Sequence, residues 1–316
     1  MSAIASAIYS CREDIQPYAN EFTDIIIEGL SSDDILIVIS SVEALGYIMA
    51  YASNEVESIF ADGFEFITKN SMESENPEEP NPVDINLRDA CMNALYNIIN
   101  NENDYNPGGN GVAAVYPLIL VIANAGINIE TNEDDLYSDE NVVTPVNIIK
   151  NGFLLLKALF KHHPQEFAKS ELMVMCHNFD FENLYQKFIK FTDEEVAIVA
   201  IHSAIYYLLV CQPEKINFME EFSNIIQENE DMDVCQAVFR AYYRLLVSRY
   251  EPAIASLLQF MECATSAISR NLVCQRKNII DEDDKYSLKP DFIEPVYSIL
   301  AESFKIDTSI IPQDQL

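Results

Sequence analysis

The chain has 316 residues, 49% of them hydrophobic, and sets 19 lysines and arginines against 51 aspartates and glutamates for a formal charge of −32. That length and apolar content are enough to bury a large core, which excludes the disordered class. The surplus of acid disfavours phosphate backbones and anionic lipid surfaces, so neither nucleic acid nor membrane is an expected partner; cationic partners fit it, and so does a purely solubilising role.

The opening stretch, MSAIASAIYSCRED, has no basic start and too short an apolar run for a signal peptide. It reads as a first helix with Ala7 at its small position. IQPYANEFTDIIIEGL (15–30) predicts a second helix, with Glu21, Asp24 and Glu28 on one face and Phe22, Ile26 and Leu30 on another. SVEALGYIM (41–49) centres a third on Ala44, and Asp34 stands ten residues earlier, where a helix N-terminus prefers an acid. NEVESIFADGFEFITKN (54–70) repeats the second pattern, with Glu55, Asp62 and Glu65 beside Ile59, Phe60, Gly63 and Ile67. The acidic, proline-rich stretch 71–84 reads as a loop. The helical phrase then resumes as Asp84, Leu87, Arg88, Ala90 and Ala94 in LRDACMNALYNII.

NPGGNG (106–111) is glycine-rich, but it lacks the lysine and the preceding strand of a phosphate cradle and reads as a turn. NGVAAVYPLILVIANAG (110–126) supplies the next helix. The loop 129–143 holds Glu133, Asp134, Asp135, Asp139 and Glu140 without the order of a calcium-binding EF-hand loop. NGFLLLKALF then puts Leu154 at the anchor position. His162 and His163 close that helix just before Pro164, where a partly charged imidazole would suit the exposed carbonyls. Glu194 and Ala204 frame IHSAIYYLL; EKINFMEEFSNIIQ follows, with Glu220, Asn224 and Gln227 beside Phe222 and Ile226. Asp231, Val234, Cys235, Ala237 and Ala241 write the phrase again, before a third acidic run at 281–285. Pro17, Pro213 and Pro252 fall near helix starts, where a missing N–H does no harm.

The anchors Ala7, Ala44, Ala94, Leu154, Ala204 and Ala241 lie 37, 50, 60, 50 and 37 residues apart. Two-helix repeats of the HEAT and armadillo kind take about 40 to 47, with the excess in loops. Small residues at these points let helices approach closely. The expected fold is therefore all-α: a HEAT/armadillo-like solenoid of about six to seven helix pairs, a single array over 1–316 with acidic loops near 71–84, 129–143 and 281–285. Tight-turn pairs between alternating runs, the mark of hairpins, are missing. Tyr96, Tyr206, Tyr207, Tyr242 and Tyr243 are expected in core or inter-repeat packing. The seven cysteines form no CxxC pair and read as reduced thiols in an intracellular protein. The four histidines make no metal signature, no cofactor motif is present, and no nucleophile with its base can be assembled, so an enzyme is not expected.

The order Asp84, Leu87-Arg88, Ala90, Ala94-Leu95 is similar to the general HEAT motif. EALGYI, followed by a second helix, an acidic insertion and LRDACMNALYNII, resembles the importin-β family of nuclear transport receptors, best over residues 1 to about 105. The resemblance implies a protein moving between cytoplasm and nucleus. Its partners would be basic protein cargo or an importin-α-like adaptor, with Ran GTPase and the phenylalanine-glycine repeats of nucleoporins as further ones; no residue can be matched to Ran binding. In HEAT arrays the second helices line the concave side. The resemblance thus makes Glu21, Asp24, Glu28, Asp62, Glu65 and Glu220 candidate cargo-binding residues. The same acids also fit an ordinary solvated face, and the alternative function is a HEAT scaffold or regulatory subunit of a protein complex.

Overall fold

The computed structural model describes residues 1–52, 57–72, 82–100, 115–130, 143–168, 170–213, 215–229, 231–278 and 290–306. Among these every regular element is helical. The acidic run 281–285, most of the other two acidic loops and the NPGGNG turn lie outside the described residues. The helices fall into two compact units, 1–180 and 181–316.

In the first unit α1 (Ser2–Cys11) leads through a 3-10 segment (Arg12–Tyr18) into α2 (Ala19–Leu30), then α3 (Ile35–Tyr51), α4 (Glu57–Asn70), α5 (Pro82–Asn100), α6 (Tyr116–Ile127) and α7 (Pro145–His162). α1, α3, α5 and α7 pack side by side in that order, while α2 lies on α3, α4 on α5 and α6 on α7. This is the two-layer stacking of a helical repeat, in which each helix pair touches mainly its neighbours. Two short helices, α8 (Pro164–Phe167) and α9 (Ser170–Asn178), close the first unit, and α10 (Phe181–Phe188) follows in the chain. Pro164 stops α7, and Asp180, at φ 52°, turns the chain between α9 and α10.

α10 opens the second unit, followed by α11 (Glu194–Cys211), α12 (Phe218–Glu228), α13 (Met232–Val247), α14 (Glu251–Ala255), α15 (Leu257–Asn278) and α16 (Pro290–Ser303). Here α11, α13 and α16 form the first layer; α10 lies on α11, and α12 packs against α13 and α15. α11 is long and apolar enough to cross a bilayer by length and composition. Half of it is buried between its neighbours, as a core helix would be.

Why the layers close so tightly is visible at the anchors. Ala44, Ala94, Ala204 and Ala241 are all at most 1% exposed. A β-carbon added at Gly46 of α3 would fall 2.8 Å from the Cα of Ala94 in α5, so the two backbones touch with nothing between them. Gly152 of α7 does the same against α6, where a β-carbon would meet the Ala123 carbonyl oxygen at 2.9 Å. The two weaker copies are out of register: Ala7 is exposed while Ala5 and Ile8 are buried, and Leu154 is half-buried between buried Phe153 and Leu155. The neighbouring residue carries the core position in each case, because the face toward the next helix is set by contact and not by residue size alone.

Helix starts follow the acids closely. Asp34 accepts from the Leu36 amide at 2.9 Å, and Asp231 from the amides of Asp233 and Val234 at 2.8 Å each. In α11 the cap is Asp193, one residue before Glu194, and it accepts from the Val196 amide at 2.9 Å. α5 begins at Pro82, ahead of Asp84, since proline is suited to a first helical position. Of the expected aromatic stripe, Tyr207 and Tyr242 are buried and stack at 4.7 Å on Tyr185 and at 3.6 Å on Phe260; Tyr96, Tyr206 and Tyr243 are half-buried.

His163 departs from the expectation of a partly charged imidazole at a helix end. Its ring packs at a tilt on buried Tyr116, centroids 4.9 Å apart, and among the described residues neither the Tyr116 hydroxyl nor His163 Nε2 has a hydrogen-bond partner. Burial pushes the imidazole below its ordinary 6.5, against the pull of nearby Glu166 and a backbone bond at Ile99. The neutral form is the folded form.

Two measurements check this account. Ala94→Leu forces a larger side chain against Gly46 and should cost about 1 to 3 kcal/mol in urea titration, while Ala7→Leu on the exposed face of α1 should change little. His163 contributes stability that is complete above its ordinary 6.5 and is lost as pH falls from there through the depressed folded value. Between pH 7.5 and 5.5 the parent should therefore lose more stability than His163→Phe does.

Candidate functional site

The acidic rows fall as the helical periodicity requires. On α2, Glu21, Asp24 and Glu28 are exposed while Thr23, Ile26 and Gly29 are buried. On α4, Asp62 and Glu65 are exposed while Gly63 and Ile67 are buried, Gly63 lying against Leu45 of α3. Spacings of three and four put like charges on one face, and only solvent or a cation makes that face comfortable. Among the described residues none of these five carboxylates has an ion-pair or hydrogen-bond partner. Exposed Ile25 and Ile27 stand on the same helix as the first three, so apolar surface is interleaved with the charge.

Glu220 differs. It belongs to the second unit and helps cap the start of α12: Asn217 Oδ1 accepts from the Glu220 amide at 3.3 Å, and Asn217 Nδ2 donates to Glu220 Oε2 at 3.4 Å. Its carboxylate has a local structural use. The neighbouring Glu221, unremarked in the sequence, ties α12 to the α10 region by accepting from Gln186 Nε2 at 2.7 Å and pairing with Lys190.

A polar ladder that no local pattern announces crosses the first layer of the first unit. Asp89 of α5 accepts from Asn151 Nδ2 of α7 at 2.8 Å and from Asn93 Nδ2 at 3.2 Å. Burial holds the Asp89 carboxyl above its ordinary range, against these two bonds and the Lys150 charge. On α3, Glu43 is raised as well, by burial first and then by Asp89. Two carboxylates thus face each other across the α3–α5 contact, with an amide from α7 holding one of them in place. Beside this ladder Arg88, a buried residue of the HEAT-like string, donates from Nε to the Ser71 carbonyl at 3.1 Å and so links α5 to the end of α4.

Six described cysteines are free thiols, and burial pushes Cys91 well above the usual thiol range, which keeps it protonated and unreactive. Among the described residues no group of histidine, cysteine and carboxylate side chains is arranged to hold a metal ion.

Comparison with known proteins bears on the fold. An engineered protein of known crystal structure superposes on 97% of this chain with a TM-score of 0.52 and 14% sequence identity. This chain spans 62% of that protein's length. A designed armadillo repeat protein aligns with 88% of this chain and 98% of its own, with a TM-score of 0.49 and 12% identity. At 14% identity the first likeness shows the fold alone, a helical-repeat solenoid. No family model matches the chain. No curated protein matches it either. The likeness of its HEAT-like strings to the importin-β family therefore remains a resemblance.

Asp89 gives a test of the ladder. Its contribution is fully present below its ordinary 3.8 and is lost as pH rises through the raised folded value, so its charge works against the fold at neutral pH. Asp89→Asn keeps an oxygen for Asn151 and should leave thermal stability at pH 7 unchanged or higher. Asp89→Leu strands the buried Asn151 amide and should cost about 1 to 3 kcal/mol.

Proposed function

We propose that this chain is a non-enzymatic binding scaffold for basic protein segments, held through the exposed acids of its second-layer helices. One observation carries the reading. Glu21, Asp24, Glu28, Asp62 and Glu65 stand exposed, three or four residues apart within each helix and without cationic partners among the described residues, on helices whose opposite faces are buried. A segment rich in lysine or arginine would supply the missing counter-charge. A stack in which each helix pair touches mainly its neighbours can adapt to such a segment by small rotations.

The narrower form of the proposal is an importin-β-like transport receptor that takes basic cargo, or an adaptor carrying it, between cytoplasm and nucleus. Support comes from the HEAT-like string of α5, whose Arg88, Ala90 and Ala94 are buried at the helix contacts where that motif would use them. A scaffold or regulatory subunit that holds an enzyme or a cytoskeletal protein shares the acid but not the transport partners. Binding of phenylalanine-glycine repeat peptides and of Ran GTPase separates the two.

The acids themselves are tested with a labelled peptide of the basic nuclear-localisation type. Its affinity should fall steeply as salt rises, since screening weakens attraction across a solvated face. Reversal of Glu21, Asp24, Glu28, Asp62 and Glu65 to lysine should abolish most of the binding. Reversal of five other exposed acids, Glu13, Asp14, Glu171, Glu262 and Glu294, should spare it. Both sets take the net charge from −32 to −22, five reversals of two units each. Equal losses in calorimetry would reduce the acid to a diffuse coat.

A further inference from the structure

The second unit carries a cleft of ≈390 Å³ that the rows above do not include, bounded on one side by the turn between α10 and α11 and on the other by the turn between α12 and α13. Phe191, Ile225 and Val234 supply its apolar walls, and Glu194 and Glu228 are its carboxylates. α11 and α13 lie side by side and both begin here. A pair of helix N-termini would ordinarily invite an anion. At this cleft the invitation is already answered from within: Asp193 Oδ1 takes the Val196 amide at 2.9 Å, and Asp231 Oδ1 takes those of Asp233 and Val234 at 2.8 Å each.

Glu194 and Glu228 are thus surplus to the needs of the helix ends. Asp231 lies close enough to Glu194 that its charge, first among several causes, holds the Glu194 carboxyl above its ordinary range. Glu228 has no ion-pair or hydrogen-bond partner among the described residues. The cation that lines the cleft, Lys190, is committed to Glu221 on the flank of α12. What remains is a concave, partly apolar surface with an excess of negative charge at its rim, where Glu228 stands beside a Glu194 that is crowded by, and hydrogen-bonded to, Asp231. A bare metal ion does not match it, for the volume far exceeds one ion and no described set of side chains has a metal's geometry.

We propose that this cleft receives a lysine or arginine side chain of a partner protein, with its aliphatic stem along half-buried Phe191 and its charged head beside Glu228 and the Glu194–Asp231 pair. The chemistry fits such a side chain part by part, since long cationic residues bury their methylenes and keep the head at a polar rim. The inference rests on the reading of the chain as a scaffold for basic segments and adds a discrete subsite, in a different unit from the α2 and α4 rows.

The probe is a fluorescein-labelled peptide of arginine residues spaced by glycine and serine, titrated by anisotropy into the full chain at low salt. Two changes act on the cleft in different ways. Glu194→Gln with Glu228→Gln removes its charge, and Thr192→Trp, at an exposed lining position, fills it while leaving every charge in place. Each should weaken binding by at least about fivefold, while the charge-matched pair Glu262→Gln with Glu294→Gln should change it less than about twofold. If Thr192→Trp binds the peptide as the parent does, or if the two double variants lose affinity equally, the subsite is overturned. Spermidine displacing the peptide at equal molar concentration would identify a small-cation site and overturn the side-chain assignment as well. Reversal of the α2 and α4 acids in the same assay keeps the two ideas apart. Loss there with no effect at the cleft removes only the subsite, the converse removes only the rows, and absence of any peptide binding removes both.

Discussion

Direct backbone contact between stacked helices is the constraint on which the rest of this protein depends. Gly46 on α3 and Ala94 on α5 leave no space for even one more carbon atom between them, and Gly152 brings α7 equally close to α6. At such distances dispersion contacts run along the whole helix pair, and side chains flanking the contact are locked into one arrangement. The bond from Asn151 to Asp89 exists only because α5 and α7 are held this near. These two polar groups are largely withdrawn from solvent and satisfy one another, while Glu43 on α3 feels the Asp89 charge only as repulsion.

Tight inner faces and a strongly acidic exterior are two sides of one allocation. The second-layer helices α2 and α4 keep a narrow buried stripe, with Ile26 on the first and Ile67 on the second, and turn their acids to solvent, whereas α6 is buried over most of its length. Where the exterior acid has local work it is consumed: in the caps at Asp34, Asp193 and Asp231, in the bond of Glu220 to the capping Asn217 side chain, and in the pairing of Glu221 with Lys190. The acid left over is what can be offered to a partner. Sorting consumed from unconsumed charge is more informative here than the net value of −32.

Much of the fold could be read from the residues, because both of its signals are local. A small residue amid large apolar ones marks a close contact, and an acid about ten residues earlier marks the helix start. Ala44, Ala94, Ala204 and Ala241 met that expectation at burial close to complete. The same rule placed Ala7 and Leu154 one residue out of register, since in those strings several neighbours are equally apolar and only the facing helix decides which is buried. The site was less legible. Exposure of Glu21, Asp24, Glu28, Asp62 and Glu65 follows from periodicity, but the capping role of Glu220 needed Asn217 in its actual rotamer. The Asp89–Asn151 bond spans 62 residues and leaves no trace in either string. Nor could the cleft beside Glu194 be seen, being assembled from two turns more than thirty positions apart.

One further consequence concerns α11 during synthesis. It is the described helix with the composition of a membrane span, and what covers it in the folded unit is α10, already made, and α13, which ends at Val247. At about 5 to 20 residues per second, the 36 residues from Cys211 to Val247 take roughly 2 to 7 s to follow it out of the ribosome. Throughout that interval an 18-residue apolar helix lacks the cover of α13. The nascent chain is then most open to capture by a chaperone or by a targeting factor that recognises greasy helices, a hazard the finished protein no longer shows.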